Sequence, residues 1–196
     1  MTGAPRAIVD ADLCGGLGAP AAPDGPIKDK ACADVGAAMG AIRDRANALA
    51  FGSPGIYTFG WVQDNSGAGV IAAAADRAGI AGDGQKIAAA ARDYLLGRNQ
   101  WGRSFVVGPK PYEAHNPHHS AYLLGKPSTL LKGAVVGGAA KLSDITDQNL
   151  QLDPQARERR YDGGGVVYDD VRDDYVTSEV GLAYSAPAIL LAAILN

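Results

Sequence analysis

The segment from Tyr168 to Glu179 holds the residues whose types and spacing point most directly to chemistry. It contains five acidic residues and two tyrosines, and Glu179 stands just ahead of an apolar, helix-like tail. Cleavage of a glycosidic bond needs two carboxyl groups, one protonated to act as general acid and one ionised to activate water. Carboxyl groups crowded beside aromatic side chains therefore indicate this chemistry, provided that the rest of the chain supplies a sugar site.

Two other interpretations apply to the acidic segment. A calcium-binding loop is excluded because the D-x-[DN]-x-[DN]-G pattern is absent. A solvated run of charges, with Arg172 and the aspartates open to water, is the alternative. In the functional interpretation Glu179 is a general acid in the first turn of the final helix, and aspartates such as Asp170 are its electrostatic surroundings.

All three histidines lie in one short stretch, at His115, His118 and His119. Imidazole suits zinc and copper, but the chain has no H-E-x-x-H motif and no cysteine pair with zinc-ligand spacing. We therefore predict no metal and no other cofactor. His118 or His119, turned into a cleft, is predicted to hydrogen-bond to a polar substrate, and a purely structural loop role is the alternative.

Aromatic residues are frequent in and beside the predicted loops. The flat face of an aromatic ring stacks on the C–H face of a pyranose, and such rings line small-molecule clefts. Most of these aromatics are assigned to the core beneath the loops. Trp61 and Tyr184 are the two that we assign to sugar binding instead.

Composition and charge exclude several classes of function. The chain has 196 residues, of which 47% are hydrophobic, with a formal net charge of -3 and a pI near 5.5, so no basic surface for nucleic acid is expected. The longest apolar run, from Ala186 to Leu195, is far too short to cross a bilayer. Cys14 and Cys32 could form a disulfide or stay free thiols, and the sequence leaves both open.

Hydrophobic periodicity and turn residues predict an all-α chain with long loops. Residues 1–34 are rich in glycine and proline and are predicted to be loop, and residues 98–175 carry few helical signals. The predicted helices run from Val35 to about Leu49, at Gly69–Ala78, at Gly84–Leu96, at Thr129–Val136 for a short one, and from Thr177 or Ser178 to Ile194 with Pro187 inside it.

A set of short motifs follows a recognisable order along the chain. They are Phe59-Gly60-Trp61, Tyr94–Asn99, Ser104–Gly108, Pro117-His118-His119, Gly133–Gly138 and the acidic segment. In residue type, spacing and order they resemble the C-terminal half of the glycoside hydrolase family 9 catalytic domain, a family of mostly β-1,4-glucanases. The resemblance covers roughly residues 36–195. It implies an all-α fold forming part of an (α/α)6 toroid, with long loops at the active-site end.

The resemblance assigns roles to residues at matching positions. Glu179 matches the proton donor to the leaving glycosidic oxygen, and Asp170 matches an acidic residue that tunes or positions it. His118 matches the active-site histidine that follows a proline. Tyr184 matches a tyrosine beside the cleaved bond, and Trp61 matches a cleft tryptophan. His119, next to His118, is included with Tyr184 and Trp61 among the predicted substrate-binding residues.

The chain also departs from the family pattern. Ser120 stands where the family has a sugar-binding arginine, and Gly181 and Ser185 replace a small residue and an asparagine. The Asp-Ala-Gly-Asp motif that supplies the family's catalytic base has no match, because the residues of Asp10–Cys14 lack that setting. This absence predicts a fragment of a longer enzyme, or a chain that needs the missing N-terminal half of the domain as a partner.

The resemblance thus implies two parts: a loop-rich segment, residues 1–34, and a region similar to the C-terminal half of a family 9 catalytic domain, residues 35–196. The predicted function is hydrolysis of β-1,4-glucosidic bonds in cellulose or a related glucan by an inverting mechanism, with this chain supplying the acid and lacking the base. The predicted partner is the polysaccharide, with neither nucleic acid nor membrane.

Two alternatives to this function come from other classes. One is a non-catalytic glycan-binding remnant, and the other is a helical interaction protein whose acidic loop is only solvated structure. We expect the full-length protein to be secreted or periplasmic, although the N-terminus, Met1–Arg6, shows no apolar signal-peptide core.

Overall fold

The computed structural model describes residues 4–18, 20–123 and 131–196, and these residues are mainly helical. The α-helices are α1 (Ala4–Leu13), α2 (Pro26–Ala48), α3 (Trp61–Arg77), α4 (Gly84–Leu95), α5 (Ser120–Leu123), α6 (Leu142–Thr146), α7 (Tyr175–Ser178) and α8 (Leu182–Ile194). Short 3₁₀ helices lie at Ala50–Gly52 and Arg157–Tyr161. Strands β1 (Ala140–Lys141) and β2 (Val166–Val167) pair antiparallel. No helix in the described part of the chain is both long and apolar enough to cross a membrane.

The N-terminal segment, residues 1–34, is more helical than its glycine and proline content predicts. It holds α1, and α2 begins at Pro26 rather than at Val35. Proline suits the start of a helix because its missing N–H would have no partner in the first turn and its φ angle is already helical. The glycines and prolines that suggested a loop are concentrated between the two helices.

The chain forms two compact units. The first comprises Met1–Gly55, Asp64–Arg92 and Ile189–Asn196. Its core is rich in alanine, and residues 70–75 of α3 are buried on every side. Small side chains allow helices to approach closely, and a β-carbon added at Gly69 would lie 2.9 Å from both Ala91 and Leu191.

The predicted helices of this unit are recovered, but α2 and α3 both begin eight or nine residues earlier than predicted. Helix α4 spans nearly all of the predicted Gly84–Leu96, and Gly97 follows it with a φ of 114°, which glycine adopts without a steric penalty. Helix α3 covers most of the predicted Gly69–Ala78 but begins at Trp61. The missed first turns include Asp64, Asn65, Ser66 and Gly67, which are weak helix formers and are common in turns.

Cys14 and Cys32 form a disulfide, with their Cα atoms 5.4 Å apart. Cys14 directly follows α1 and Cys32 lies within α2, so the bond ties these two helices of the first unit together. The choice that the sequence left open is therefore resolved in favour of the disulfide. Such a cross-link stabilises a fold mainly by restricting the unfolded chain.

The second unit, Ile56–Gln63 and Asp93–Ala188, is built around buried aromatic rings. The ring centroids of Trp61 and Tyr94 are 4.8 Å apart, and those of Phe105 and Tyr168 are 4.9 Å apart. Trp101 lies 5.9 Å from Tyr168 in the same cluster. Aromatic pairs at these distances add about 0.5–1.5 kcal/mol each beyond simple area burial. The long loops of the unit pack against this cluster.

One predicted helix falls partly outside the described residues. Thr129 and Leu130 are not described, and residues 131–136 form a turn and an extended segment rather than a helix. In that segment Val135 pairs with Val106 and Val136 pairs with Val180.

The final helix is interrupted where one continuous helix was predicted. Glu179 lies between α7 and α8 in an extended conformation, with φ of -62° and ψ of 138°. The prediction that Glu179 lies in the first turn of the last helix is therefore wrong. The cause is tertiary, because Gly137 donates a hydrogen bond to the carbonyl of Glu179 and Val180 donates one to His118. Pro187 lies inside α8, as predicted.

Candidate active site

The backbone of His118 lies beside that of Glu179 as a parallel bridge. The N–H of His118 donates to the carbonyl of Ser178 at 2.8 Å, and the N–H of Val180 donates to the carbonyl of His118 at 3.4 Å. On the other edge, the N–H of Gly137 donates to the carbonyl of Glu179 at 2.8 Å. Two residues predicted from separate motifs thus lie side by side, and both are partly accessible to solvent.

Tyr184 holds one oxygen of the Glu179 carboxyl group. Its hydroxyl donates a hydrogen bond to Oε2 of Glu179 at 3.2 Å. Burial, followed by the charge of Glu179, raises the pKa of Tyr184 to about 12, so the hydroxyl keeps its hydrogen at neutral pH. Gly60 makes room for the ring, because it has a φ of 77° and a β-carbon there would lie 3.0 Å from Cε1 of Tyr184.

The imidazole of His118 is fixed in orientation and tautomer. Its Nδ1 lies 2.7 Å from the carbonyl oxygen of Arg172. A carbonyl oxygen only accepts, so Nδ1 carries the hydrogen and Nε2 of the neutral ring is an acceptor. The ring also contacts Tyr175, with centroids 5.8 Å apart. A hydroxyl donor such as a sugar is the kind of ligand that this Nε2 can bind.

The other two histidines make different contacts. Nδ1 of His119 accepts a hydrogen bond from the N–H of Ala121 at 3.0 Å, so the neutral ring carries its hydrogen on Nε2. His115 uses its backbone N–H, which donates to the carboxylate of Asp170. Ser120, at the position of the family's arginine, is exposed.

Asp170 holds a loop instead of presenting its carboxyl group to a ligand. Its side chain is only 4% exposed. Oδ1 accepts from the N–H of Asn116 at 2.9 Å, and the N–H of His115 lies 3.1 and 3.0 Å from Oδ1 and Oδ2. Burial raises the pKa of Asp170, while those two hydrogen bonds and Arg103 act in the opposite direction. The resemblance groups Asp170 with the catalytic residues, as one that tunes or positions Glu179. In the structure its oxygens accept from the backbone N–H groups of His115 and Asn116, so it positions that loop instead.

Most of the remaining acidic segment is structural. Asp169 is buried, accepts from the N–H of Asp153 at 3.1 Å, and has its pKa raised by burial to about 6. Asp174 caps α7 by accepting from the N–H groups of Val176 and Thr177. Asp173 is the one aspartate of the run from 169 to 174 that is exposed: its side chain is 88% exposed and its Oδ1 lies 3.6 Å from Nε of Arg172. The aspartates are therefore turn-forming residues, not an electrostatic shell around Glu179.

The assignment of Trp61 to sugar binding is wrong. Its side chain is fully buried in the aromatic core. The ring stacks on Tyr57 at 5.6 Å and packs edge-on against Phe105 at 5.8 Å. Gly138 closes the remaining space, since a β-carbon there would lie 3.3 Å from Cε3 of Trp61. A ring enclosed in this way has no free face for a pyranose.

Two other aromatics, Phe59 and Tyr175, are more accessible than Trp61. Phe59 is 36% exposed and packs edge-on against Tyr175 at 6.3 Å. The Tyr175 hydroxyl donates to Oε1 of Gln148 at 3.0 Å, and its ring contacts His118. Phe59 is two residues before Trp61 in the same motif, so the motif marked the region but not which ring is accessible.

A surface pocket of about 360 Å³ lies in the second unit. It is lined by Asn116, Asp170, Val171, Arg172 and Asp173, and the Arg172 carbonyl in this lining is the partner of His118. Over the described ranges, 4–18, 20–123 and 131–196, no three His, Cys, Asp or Glu side chains are grouped to hold a metal ion.

Known proteins resemble this chain in both sequence and fold. An endoglucanase from Dictyostelium discoideum is 32% identical over 114 residues, which is 53% of this chain and 13% of that protein. A metagenome-derived glycoside hydrolase family 9 endoglucanase superposes with a TM-score of 0.72 at 22% identity, over 93% of this chain and 32% of its own. AaCel9A, solved with cellobiose-like isofagomine, gives a TM-score of 0.67 at 24% identity, over 89% of this chain and 33% of its own.

These likenesses confirm the predicted fold class, an all-α chain corresponding to part of an (α/α)6 toroid with long loops. The chain spans about a third of the length of these solved relatives. The sequence pattern described as "Glycosyl hydrolase family 9" matches residues 31–192, most of the chain. The chain therefore belongs to glycosyl hydrolase family 9.

Proposed function

We propose that this chain carries the proton-donating side of a site that hydrolyses β-1,4-glucosidic bonds. The observation that carries the proposal is the contact of Tyr184 with Oε2 of Glu179, beside the backbone bridge to His118. The assigned family and the endoglucanase relatives support glycoside hydrolysis. AaCel9A, bound to a cellobiose-like ligand, supports a glucan substrate.

The chemistry follows from the orientation of the Glu179 carboxyl group. Tyr184 donates to Oε2, so that oxygen is an acceptor and the acidic hydrogen belongs on Oε1. As the bond from the anomeric carbon to the glycosidic oxygen breaks, Oε1 gives its proton to the leaving oxygen. Water bonds to the anomeric carbon from the opposite face and gives its proton to a second carboxylate. Attack from that face inverts the configuration at the anomeric carbon.

Sugar binding is assigned to groups on the same side of the second unit. Nε2 of neutral His118 accepts a hydroxyl hydrogen, and Nε2–H of His119 donates to a hydroxyl oxygen. The exposed ring of Phe59, buttressed by Tyr175, offers an apolar surface for the C–H face of a pyranose. The water-activating carboxylate has no match in this sequence and must come from residues outside it.

A non-catalytic glycan-binding protein is the second candidate. The lack of an Asp-Ala-Gly-Asp motif and the serine at position 120 favour it. Such a protein would keep the aromatic and histidine contacts and bind the sugar without cleaving it.

The two candidates are separated by measuring binding and cleavage on one enzyme that pairs this chain with a base carboxylate, because this chain alone lacks the base. Amide NMR shifts are followed while cellohexaose or, as a matched control, laminarihexaose is added, and reducing ends are assayed in parallel. Shifts at His118, Tyr175 and Glu179 with cellohexaose, together with new reducing ends, support hydrolysis. The same shifts without cleavage support glycan binding, and no shifts with either sugar contradict both candidates.

We also propose a secreted or periplasmic location for the protein. The Cys14–Cys32 disulfide supports it, because such bonds persist in oxidising compartments and are rare in the cytosol. Thiol labelling of protein isolated from its native cells tests this. Two modified cysteines, without prior reduction, would contradict the proposal.

A further inference from the structure

Three charged side chains are buried together behind the loop that carries the histidines. The side chain of Arg103 is 13% exposed and that of Glu158 is 7% exposed. Nε and Nη2 of Arg103 both lie 2.7 Å from Oε1 of Glu158, and Nη2 lies 3.7 Å from Oδ2 of Asp170. One guanidinium group thus lies between two buried carboxylates.

The backbone of Arg103 is also fixed. Oδ1 of Asn99 accepts from the N–H of Arg103 at 3.2 Å, and Nδ2 of Asn99 donates to the carbonyl of Arg103 at 2.7 Å. Asn99 also donates to the carbonyl of Tyr94 in α4. The guanidinium therefore projects from a rigid turn and not from a mobile loop.

Arg103 and Asp170 form hydrogen bonds to both ends of the segment 111–116. Nη1 of Arg103 donates to the carbonyls of Pro111 and Glu113 at 2.5 and 3.1 Å. Asp170 accepts from the N–H groups of His115 and Asn116. Pro117 and His118 follow this segment directly, so the network holds the chain just before the residue whose backbone pairs with Glu179.

We propose that Arg103, anchored by Glu158, is a positioning residue of the site. Through Asp170 and the carbonyls of Pro111 and Glu113 it fixes the segment that delivers His118 to Glu179. The functional meaning of this positioning rests on the proposed function, but the positioning itself does not. Arg103 touches no substrate in this scheme and acts only through the loop.

The charge state of Asp170 reports on the network. The charged or titratable groups that act on or around it are Arg103, His115, Glu158 and Tyr168. Loss of the Arg103 charge removes a group that favours the carboxylate, so the titration midpoint of Asp170 should move to higher pH. Loss of the Glu158 charge leaves Arg103 uncompensated, so the midpoint should move to lower pH. A residue that only filled space would give neither shift.

The amide protons of His115 and Asn116 provide the readout, because both donate to Asp170 and their NMR shifts follow its ionisation. The double variant Arg103→Met/Glu158→Met removes both members of the closer ion pair, so Glu158 is not left buried without its partner. Arg103 contacts Asp170 directly, so its loss decides the direction of the shift. Glu158→Gln tests the opposite direction, and Arg160→Met, an exposed arginine of the same segment, is the control. We expect an upward shift, a downward shift and no shift, respectively.

The position of His118 is read from its Nδ1–H signal, which is protected by the Arg172 carbonyl in the unchanged protein. The double variant should lose this protection. Arg103→Lys keeps the charge but not the planar fork, so it should keep the Asp170 midpoint of the unchanged protein and still lose the protection of Nδ1–H. Unchanged midpoints and an unchanged Nδ1–H signal in the folded double variant would overturn the proposal. Absence of glucan binding with these shifts present would instead count against the proposed function alone.

Discussion

The carboxyl group of Glu179 and the imidazole of His118 come from segments whose backbones pair directly, by a parallel bridge between the two residues. This pairing replaces the helical turn that the sequence predicts at Glu179, and it sets the glutamate beside a ring whose Nδ1 is fixed by Arg172. Because the backbone of Glu179 is extended, tertiary hydrogen bonds determine its position, and it does not lie at the N-terminal end of a helix dipole. The predictions below follow from this geometry.

Glu179→Gln should remove the proton donor while keeping the shape of the side chain. In an enzyme that pairs this chain with a base carboxylate, cleavage of an unactivated cello-oligosaccharide should fall about 10²–10⁴-fold. A dinitrophenyl leaving group needs no protonation, so its release should fall far less. Asp173→Asn, in the same acidic segment but 88% exposed, is the control and should leave both rates unchanged. Equal losses on the two substrates would contradict the acid role.

Tyr184→Phe should weaken the hold on the Glu179 carboxyl group without creating a cavity. The lost hydrogen bond, from a hydroxyl to an ionisable oxygen, corresponds to about a tenfold to hundredfold lower rate on the unactivated substrate. Tyr112→Phe, at an exposed tyrosine, is the matched control. If Tyr184→Phe cleaves the unactivated substrate at the same rate as the control, the hydrogen bond at 3.2 Å does not contribute to the rate.

Phe59 should contribute to sugar binding and Trp61 to stability, the reverse of what the sequence predicts. Phe59→Ala should leave the free energy of unfolding nearly unchanged and weaken cellohexaose binding by about threefold to tenfold, because it removes an accessible stacking face. Trp61→Phe should lower the free energy of unfolding by about 1–3 kcal/mol, since it opens space in a packed core, and leave binding by the folded protein unchanged. Calorimetric titration and denaturant unfolding of both variants measure these effects. Binding lost in Trp61→Phe alone would restore the original assignment.

The sequence predicts what is local or carried by a motif, and it misses what depends on distant pairing. Glu179 and His118 could be located because their neighbours form specific motifs. The extended backbone at Glu179 could not, because it depends on Gly137 and His118, which are far away in the chain. Likewise nothing local marks Trp61 as buried or Arg103 as the centre of a buried charge network. Burial is a property of the packed fold and has no signature in a single aromatic or arginine.

The Cys14–Cys32 disulfide should make a measurable contribution to stability. It joins residues separated by 18 positions, and a loop of this size contributes about 3 kcal/mol by restricting the unfolded chain. Cys14→Ser/Cys32→Ser should therefore lower the midpoint of urea unfolding in the first unit relative to the oxidised protein. The reduced protein should behave like the double variant. An unchanged midpoint in both would mean that the contacts of α1 with α2 suffice without the bond.

Stability should rise as the pH falls through the range in which Asp169 titrates. Burial raises the pKa of Asp169 from 3.8 to about 6, so between these values the folded protein binds more protons than the unfolded chain. The resulting stabilisation is fully present below the unfolded pKa and is lost as the pH rises through the folded pKa. At about 1.4 kcal/mol per pKa unit, the full gain is about 3 kcal/mol well below pH 3.8, and about 2 kcal/mol of it is present at pH 4.

Asp169→Asn isolates this contribution, because the amide oxygen can still accept the hydrogen bond from Asp153 but has no charge to neutralise. Urea unfolding of the variant at several pH values should give a free energy that rises less on acidification than that of the unchanged protein. Asp173→Asn, whose side chain is open to water, should follow the unchanged protein throughout. Asp170 and Asp174, whose pKa values are also raised by burial, act in the same direction and keep part of the rise in both variants. Parallel curves for Asp169→Asn and the unchanged protein would mean that Asp169 is ionised at no cost to the fold.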